Sequence, residues 1–217
     1  MAVYGGATQK LIPPGSNDPR IKPRVAILHV DAGNNESLYT YFRDRSGGIE
    51  SHFHVRRDGL VEQYRDTAYQ ADANYKANDF AVSIETQGYG EGTWSAAQLA
   101  AIKGLLRWLN EVHDIPLQKV DTWDGSGVGY HVQFGAPGPW TPVAKTCPGP
   151  QRIKQFESLL VPWMREASRA TPPKTTRGPE VDAALANLRK AKGKGQRAAA
   201  LRAARRSLRS IRKWVAR

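Results

Sequence analysis

Cys147 is the only cysteine in the 217-residue chain, so no internal disulfide can hold the fold together. A chain of this size must then stand on its own packing or on a metal. Packing is within its means, since 40% of the residues are hydrophobic and six are tryptophan. The cysteine lies in "AKTCPGP", residues 144–150, a stiff loop with a cation two positions upstream. Pro148 biases Cys147 toward an extended backbone, and in an extended chain residues two apart point to the same side. Lys145 and the sulfur are therefore expected to share one cavity. Spacing alone leaves three readings of Cys147 open: a metal ligand, a nucleophilic thiolate, or a small buried apolar residue.

Charge divides the chain. Residues 174–217 carry 14 Lys and Arg against Glu180 and Asp182, an excess that accounts for the whole net charge of +12. The preceding residues balance at 18 basic and 18 acidic. The break falls in "SRATPPKTTRGPE", residues 168–180, rich in Pro, Thr and Gly and poor in apolar residues. The expected organisation is a domain over 1–167, a linker over 168–179 and a basic helical tail over 180–217. In the tail, Leu201, Ala204, Leu208, Ile211 and Val215 recur at helical spacing, and Val181, Ala184, Leu185 and Leu188 form a matching stripe. A helical hairpin would bury both stripes and leave the arginines outside. The N-terminus shows no apolar segment of signal-peptide type, and no apolar run is long enough for a membrane span. The expectation is a soluble chain held in the cytoplasm.

Within 1–167 the pattern alternates between strands and helices. "RVAILHV" (24–30) and "FAVSIETQG" (80–88) read as buried strands. "HFHVRRDGLVEQY" (52–64) reads as a hairpin turning at Asp58-Gly59. "VGYHVQFG" (128–135) is extended. Residues 95–113 form an amphipathic helix with Ser95 as N-cap and Leu99, Ile102, Leu105, Leu106 and Leu109 on one face. A second helix covers 151–167, where Pro162 is expected to kink it or end it early. The implied class is α/β, a mixed central β-sheet covered by helices, plus the C-terminal helical hairpin.

The residues able to hold a metal or act as a base are few: His29, His52, His54, His113, His131 and Cys147. No HExxH or CxxC spacing joins them, so no local metal motif exists. His29 and His131 each lie at a strand. His113, at a helix end, reads as a partner of the helix dipole. His52 and His54 fall on one strand face and could line a cleft or its rim. Glu85 sits inside an apolar strand, where a carboxylate is costly without a partner or a function.

Five segments in order, "VAILHVDAG" (25–33), "SHFHVRRDGLVEQ" (51–63), "NDFAVSIETQG" (78–88), "GVGYH" (127–131) and "KTCPGP" (145–150), resemble the zinc-dependent N-acetylmuramoyl-L-alanine amidases. This is the type 2 amidase family, shared by bacteriophage endolysins and peptidoglycan-recognition proteins. The resemblance spans about residues 24–165 and implies roles for particular positions. His29, His131 and Cys147 match the three zinc ligands. Lys145 matches the cation that stabilises the tetrahedral intermediate, and Glu85 the general base of part of the family. One position departs: Ser51 stands where many members carry a catalytic tyrosine, which moves proton transfer onto Glu85. Asn74, Asn78, Trp94, Trp123 and His52 are candidates for lining the substrate groove. The implied function is cleavage of the amide between N-acetylmuramic acid and L-alanine of the stem peptide, as in an endolysin that waits in the host cytoplasm and is released to the cell wall. The alternative is a non-catalytic peptidoglycan-binding module.

The basic tail is then expected to hold the protein on an anionic wall polymer or lipid surface, with no specific nucleic acid as partner. Deleting 174–217 should leave turnover on soluble muropeptides nearly intact and weaken binding to whole walls, and high salt should reproduce that loss. Equal wall binding by the truncated chain would remove the targeting role.

Overall fold

The computed structural model describes residues 2–13, 18–44 and 50–170. The linker from 171 onward and both expected tail helices lie outside them. The described residues up to Ser168 belong to one compact unit.

This unit is built on one six-stranded sheet. Its strands are β1 (Thr8–Gln9), β2 (Val25–Leu28), β3 (Phe53–Val55), β4 (Val61–Gln63), β5 (Ala81–Thr86) and β6 (Gly127–Tyr130). The order across the sheet is β1-β4-β3-β5-β2-β6. Only β3 and β4 run antiparallel; the other neighbours are parallel. A short helix, α1 (Tyr39–Asp44), precedes β3.

β2 lies between β5 and β6 and is fully buried, as a continuous apolar run predicts for a strand covered on both faces. Its residues divide by parity. Ala26 and Leu28 join Phe53, Val55, Val82, Ile84 and Val128 in the larger core. Val25 and Ile27 pack on the other side with Ala81, Val120 and Trp140. The larger core is closed by α2 (Ala96–His113) through Ile102, Leu105, Leu106 and Leu109. Leu99, expected on that face, is only partly buried, and Gln98 takes the inner position. There its amide donates to the carbonyls of Val55 and Gln87 at 3.2 and 3.0 Å.

Ser95 caps α2 as expected. Its Oγ accepts from Gln98 N–H, and Gln98 Oε1 accepts from Ser95 N–H, both at 3.0 Å. This reciprocal box satisfies two of the donors that a helix start leaves free.

Two local expectations need correction. The hairpin turns one residue earlier than Asp58-Gly59. Gly59 N–H donates to the Arg56 carbonyl at 2.9 Å, which puts Arg57 and Asp58 at the centre and Gly59 after them at φ 87°. That is a three-residue loop, a type I turn followed by a left-handed glycine. Second, Pro162 does not end the C-terminal helix early; the regular winding is interrupted just before it instead. α3 (Pro150–Gln155) passes through a π-helical turn (Phe156–Leu160) into α4 (Val161–Ala170). The proline ring would crowd the carbonyl of Ser158, four residues back. The widened turn sits there, and the helix continues. Phe156, Leu160, Met164 and Ala167 stay on one buried face, and the helix runs three residues into the segment assigned to the linker.

Replacing Ser95 by alanine should lower the unfolding free energy by about 1 kcal/mol, read as a lower midpoint in urea at unchanged slope. An unchanged midpoint would show that the box contributes nothing.

Candidate metal centre

Of three parallel strands, β2 and β6 end at one level and β5 runs two residues further. In the register, Leu28 of β2 stands opposite Ile84 of β5 and Tyr130 of β6. The next residues are His29, Glu85 and His131, so residues far apart in sequence arrive together at the carboxyl ends of the strands. Ligands of parallel sheets bind at such ends. Cys147 comes from the loop before α3 and reaches the same place, with Val30 N–H donating to its Sγ at 3.3 Å.

One ligand atom from each of His29, His131 and Cys147 lies within 4.8 Å of the others. His29 Nδ1 is 3.8 Å from Cys147 Sγ. Zinc bonds of about 2.3 Å to sulfur and 2.0–2.1 Å to nitrogen place tetrahedral N and S ligands about 3.6 Å apart. His29 Nε2 is 2.8 Å from Asn74 Oδ1. The carbonyl oxygen of that amide can only accept, so Nε2 carries the proton and Nδ1 turns its lone pair to the cluster. On the far side, His131 Nε2 is buried with no hydrogen-bond partner. Burial, with the charge of His131, holds the His29 imidazole well below its ordinary pKa. Burial and then Lys145 bring His131 down to about 4. Both rings are thus neutral, the form that binds metal. The donor set and its spacing fit zinc.

Cys147 is poorly placed as a nucleophile. Burial pushes its thiol up, with Glu85 adding to the shift, so the group by itself is not a thiolate at neutral pH.

Glu85 flanks the cluster, its Oε1 3.9 Å from His29 Nδ1. Its side chain is 15% exposed, and its Oε2 has no hydrogen-bond partner. Burial, then the neighbouring Asp31, raise its carboxyl to about 8 against the opposing pull of Lys145. His54 pairs with Glu85 in the strand register and lies buried, Nε2 3.4 Å from Asp31 Oδ2.

The cluster forms part of the lining of a cleft of about 880 Å³. Lys145 and Cys147 both line it, as the alternation in their loop predicts. Of the candidate groove residues, Asn78 lines the cleft, and Asn74 is buried beneath it on His29. His52 and Trp94 are not in the lining. His52 is spent on Ser83 Oγ and the Tyr69 carbonyl, at 3.0 and 2.9 Å. Trp94 is in the core, its indole N–H on Thr86 Oγ1 at 2.9 Å. Trp123 is exposed and also absent from the lining. His113 ends α2, as expected, and meets Thr67 Oγ1 through Nε2 at 2.6 Å. Ser51 is buried and donates to the Phe53 carbonyl.

Sequence reasoning missed the residues that hold the loops. Arg152 is fully buried and its Nη1 donates to the carbonyls of Tyr89 and Pro148, at 2.6 and 3.3 Å. It ties the loop after β5 to the loop of Cys147. Gly149 makes that approach possible: at φ 95°, an added Cβ would run into the Gly90 carbonyl oxygen. Asp31 accepts from the N–H groups of Gly33 and Gly88 at 3.0 and 2.9 Å and so joins the exits of β2 and β5. Also missed were Tyr75 and Tyr89, two tyrosines in the lining. None of these had a signal in the sequence beyond its residue type.

The fold recurs in known structures. The N-acetylmuramoyl-L-alanine amidase LysC from Clostridium intestinale URNW is 18% identical, with 70% of this chain and 97% of that one covered at a TM-score of 0.52. PlyL is 18% identical over 74% of this chain and 95% of its own, at 0.54. The Drosophila peptidoglycan recognition protein PGRP-SA is 15% identical over 71% and 93%, at 0.53. No curated protein sequence matches the chain. Residues 19–150 match the N-acetylmuramoyl-L-alanine amidase family, Amidase_2. That span is more than half of the chain and runs from before β2 through Cys147, which makes this protein a member of the N-acetylmuramoyl-L-alanine amidase family.

Proposed function

We propose that the chain is a zinc-dependent peptidoglycan hydrolase. It would cleave the amide between N-acetylmuramic acid and the L-alanine of the stem peptide and serve a bacteriophage as its endolysin. The observation that carries this reading is the meeting of His29, His131 and Cys147 beside the buried, unpaired Glu85 oxygen.

In this reading His29 Nδ1, His131 and Cys147 Sγ hold the zinc. Bound there, zinc supplies Lewis acidity, bringing water toward a pKa of about 7, polarising the scissile carbonyl and drawing the Glu85 carboxyl down from its raised value. Glu85 takes the proton of the attacking water and delivers it to the departing amine of L-alanine, a task that suits a carboxyl tuned near the working pH. Lys145 faces the charge that develops on the carbonyl oxygen. Asn74 fixes the His29 tautomer. Asn78 contacts the stem peptide within the cleft. The basic stretch 180–217 holds the enzyme on an anionic wall polymer or lipid, supported by the excess of 12 positive charges in the last 44 residues.

Purified peptidoglycan incubated with the full chain should gain free amino termini on L-alanine. A chelator and Cys147→Ser should each abolish the gain. Activity that survives complete metal removal would overturn the mechanism. Binding of peptidoglycan without cleavage, by protein lacking metal in elemental analysis, would put the non-catalytic module in its place.

Glu85→Gln should lower kcat by roughly 10²–10⁴-fold at unchanged metal content, whereas retained turnover would exclude Glu85 as the base. Asn74→Ala should weaken zinc affinity by about 10–100-fold in a competition titration; wild-type affinity would show that Asn74 does not orient His29.

A further inference from the structure

Tyr75 stands where the backbone calls for glycine. Its φ of 50° and ψ of −114° belong to the first central position of a type II′ turn, which disfavours any side chain. The neighbours impose this conformation from both sides. Asn74 is held through its side chain to His29 and through its N–H to Asn78 Oδ1, at 2.8 and 2.7 Å. Lys76 N–H donates to the Trp140 carbonyl at 3.2 Å, and Asn78 N–H to the carbonyl of Tyr75 itself at 3.2 Å.

The strain is not repaid by core packing, because Tyr75 is 40% exposed. Its ring faces the cleft instead. It stacks on His131, with centroids 5.8 Å apart and planes 29° from parallel. The Lys145 ammonium is 5.8 Å from its centroid, within the range of a cation–π contact. Among the described residues no carboxylate forms an ion pair with Lys145. Lysine has four rotatable bonds, and its ordering costs more entropy than that of most side chains. An aromatic face that restricts it would keep the ammonium at the reaction centre.

We propose that Tyr75 is a positioning residue for the reaction: its ring holds Lys145 over the cleft and covers the outer face of His131. The proposal rests on the amidase reading and adds to it a residue that acts through Lys145. A turn that a glycine would satisfy is kept strained so that the ring stands against both the lysine and the histidine.

The test compares the full-length wild type with Tyr75→Gly and Tyr75→Phe, by steady-state kinetics on a soluble muramoyl-peptide and by thermal unfolding. Tyr75→Gly should raise Tm by a few degrees, roughly, since glycine accepts the turn without strain. The same variant should lower kcat about tenfold with little change in KM, because Lys145 acts on the transition state. Tyr75→Phe should recover most of the lost turnover without the gain in Tm. Wild-type kcat in Tyr75→Gly overturns the proposal, and so does a fall in Tm and kcat together, which would make the ring a structural element. Tyr75→Phe as slow as Tyr75→Gly overturns it too, by assigning the role to the hydroxyl. If the wild type cleaves nothing in the same assay, the amidase reading itself fails and this inference falls with it.

Discussion

The register of β2 against β5 and β6 is the constraint on which the site depends. Leu28, Ile84 and Tyr130 lie side by side in parallel strands, so the residues that follow them emerge together at one edge. A slip of one residue in β5 or β6 would turn Glu85 or His131 to the opposite side. The slip is opposed by the parity of β2, whose alternate residues pack into two different cores. Burial of Val25, Ala26, Ile27 and Leu28 on both faces thus fixes the chemistry as well as the fold.

Around that edge the chain departs from its own rules. Asn74 Nδ2, Glu85 Oε2 and His131 Nε2 are buried without partners, each at a cost that a core would not ordinarily bear. A carboxyl is desolvated beside another carboxylate, Asp31. A tyrosine occupies a glycine conformation. Arg152 spends a buried guanidinium on two carbonyl oxygens. Away from the cleft, the capping box of α2 and the hairpin turn obey local preferences. Such departures gather at functional sites, where the geometry is held against the preference of the parts. Arg152, Gly149 and Asp31 are the supports that hold it here, joining the loop of Cys147 to the exit of β5 and that exit to the exit of β2.

Much of the fold was legible because it rests on local signals. Ser95 and Gln98 announce the start of α2, and the apolar run of β2 announces a covered strand. The misreadings have physical causes. Pro162 is absorbed by a π-helical turn, which buried contacts of Phe156 and Leu160 support. The hairpin loop gained a residue because Gly59 follows the turn at positive φ. His52 and Trp94 looked available to a ligand by residue type, yet their polar atoms are taken by Ser83, Tyr69 and Thr86.

The sequence alone determined that no internal disulfide could support this chain, that its net positive charge lies in the last 44 residues, and that its elements are strands and helices in mixed order. Through five ordered segments it also marked His29, Glu85, His131, Lys145 and Cys147, although their spacing carries no metal motif. Only the tertiary structure decided that these residues meet. Their convergence depends on strand register and on loops closed by buried hydrogen bonds, which are contacts between positions up to 118 residues apart. The same long-range contacts bring Asn74 under His29 and the ring of Tyr75 against His131 and Lys145, an arrangement that no local pattern in the chain encodes.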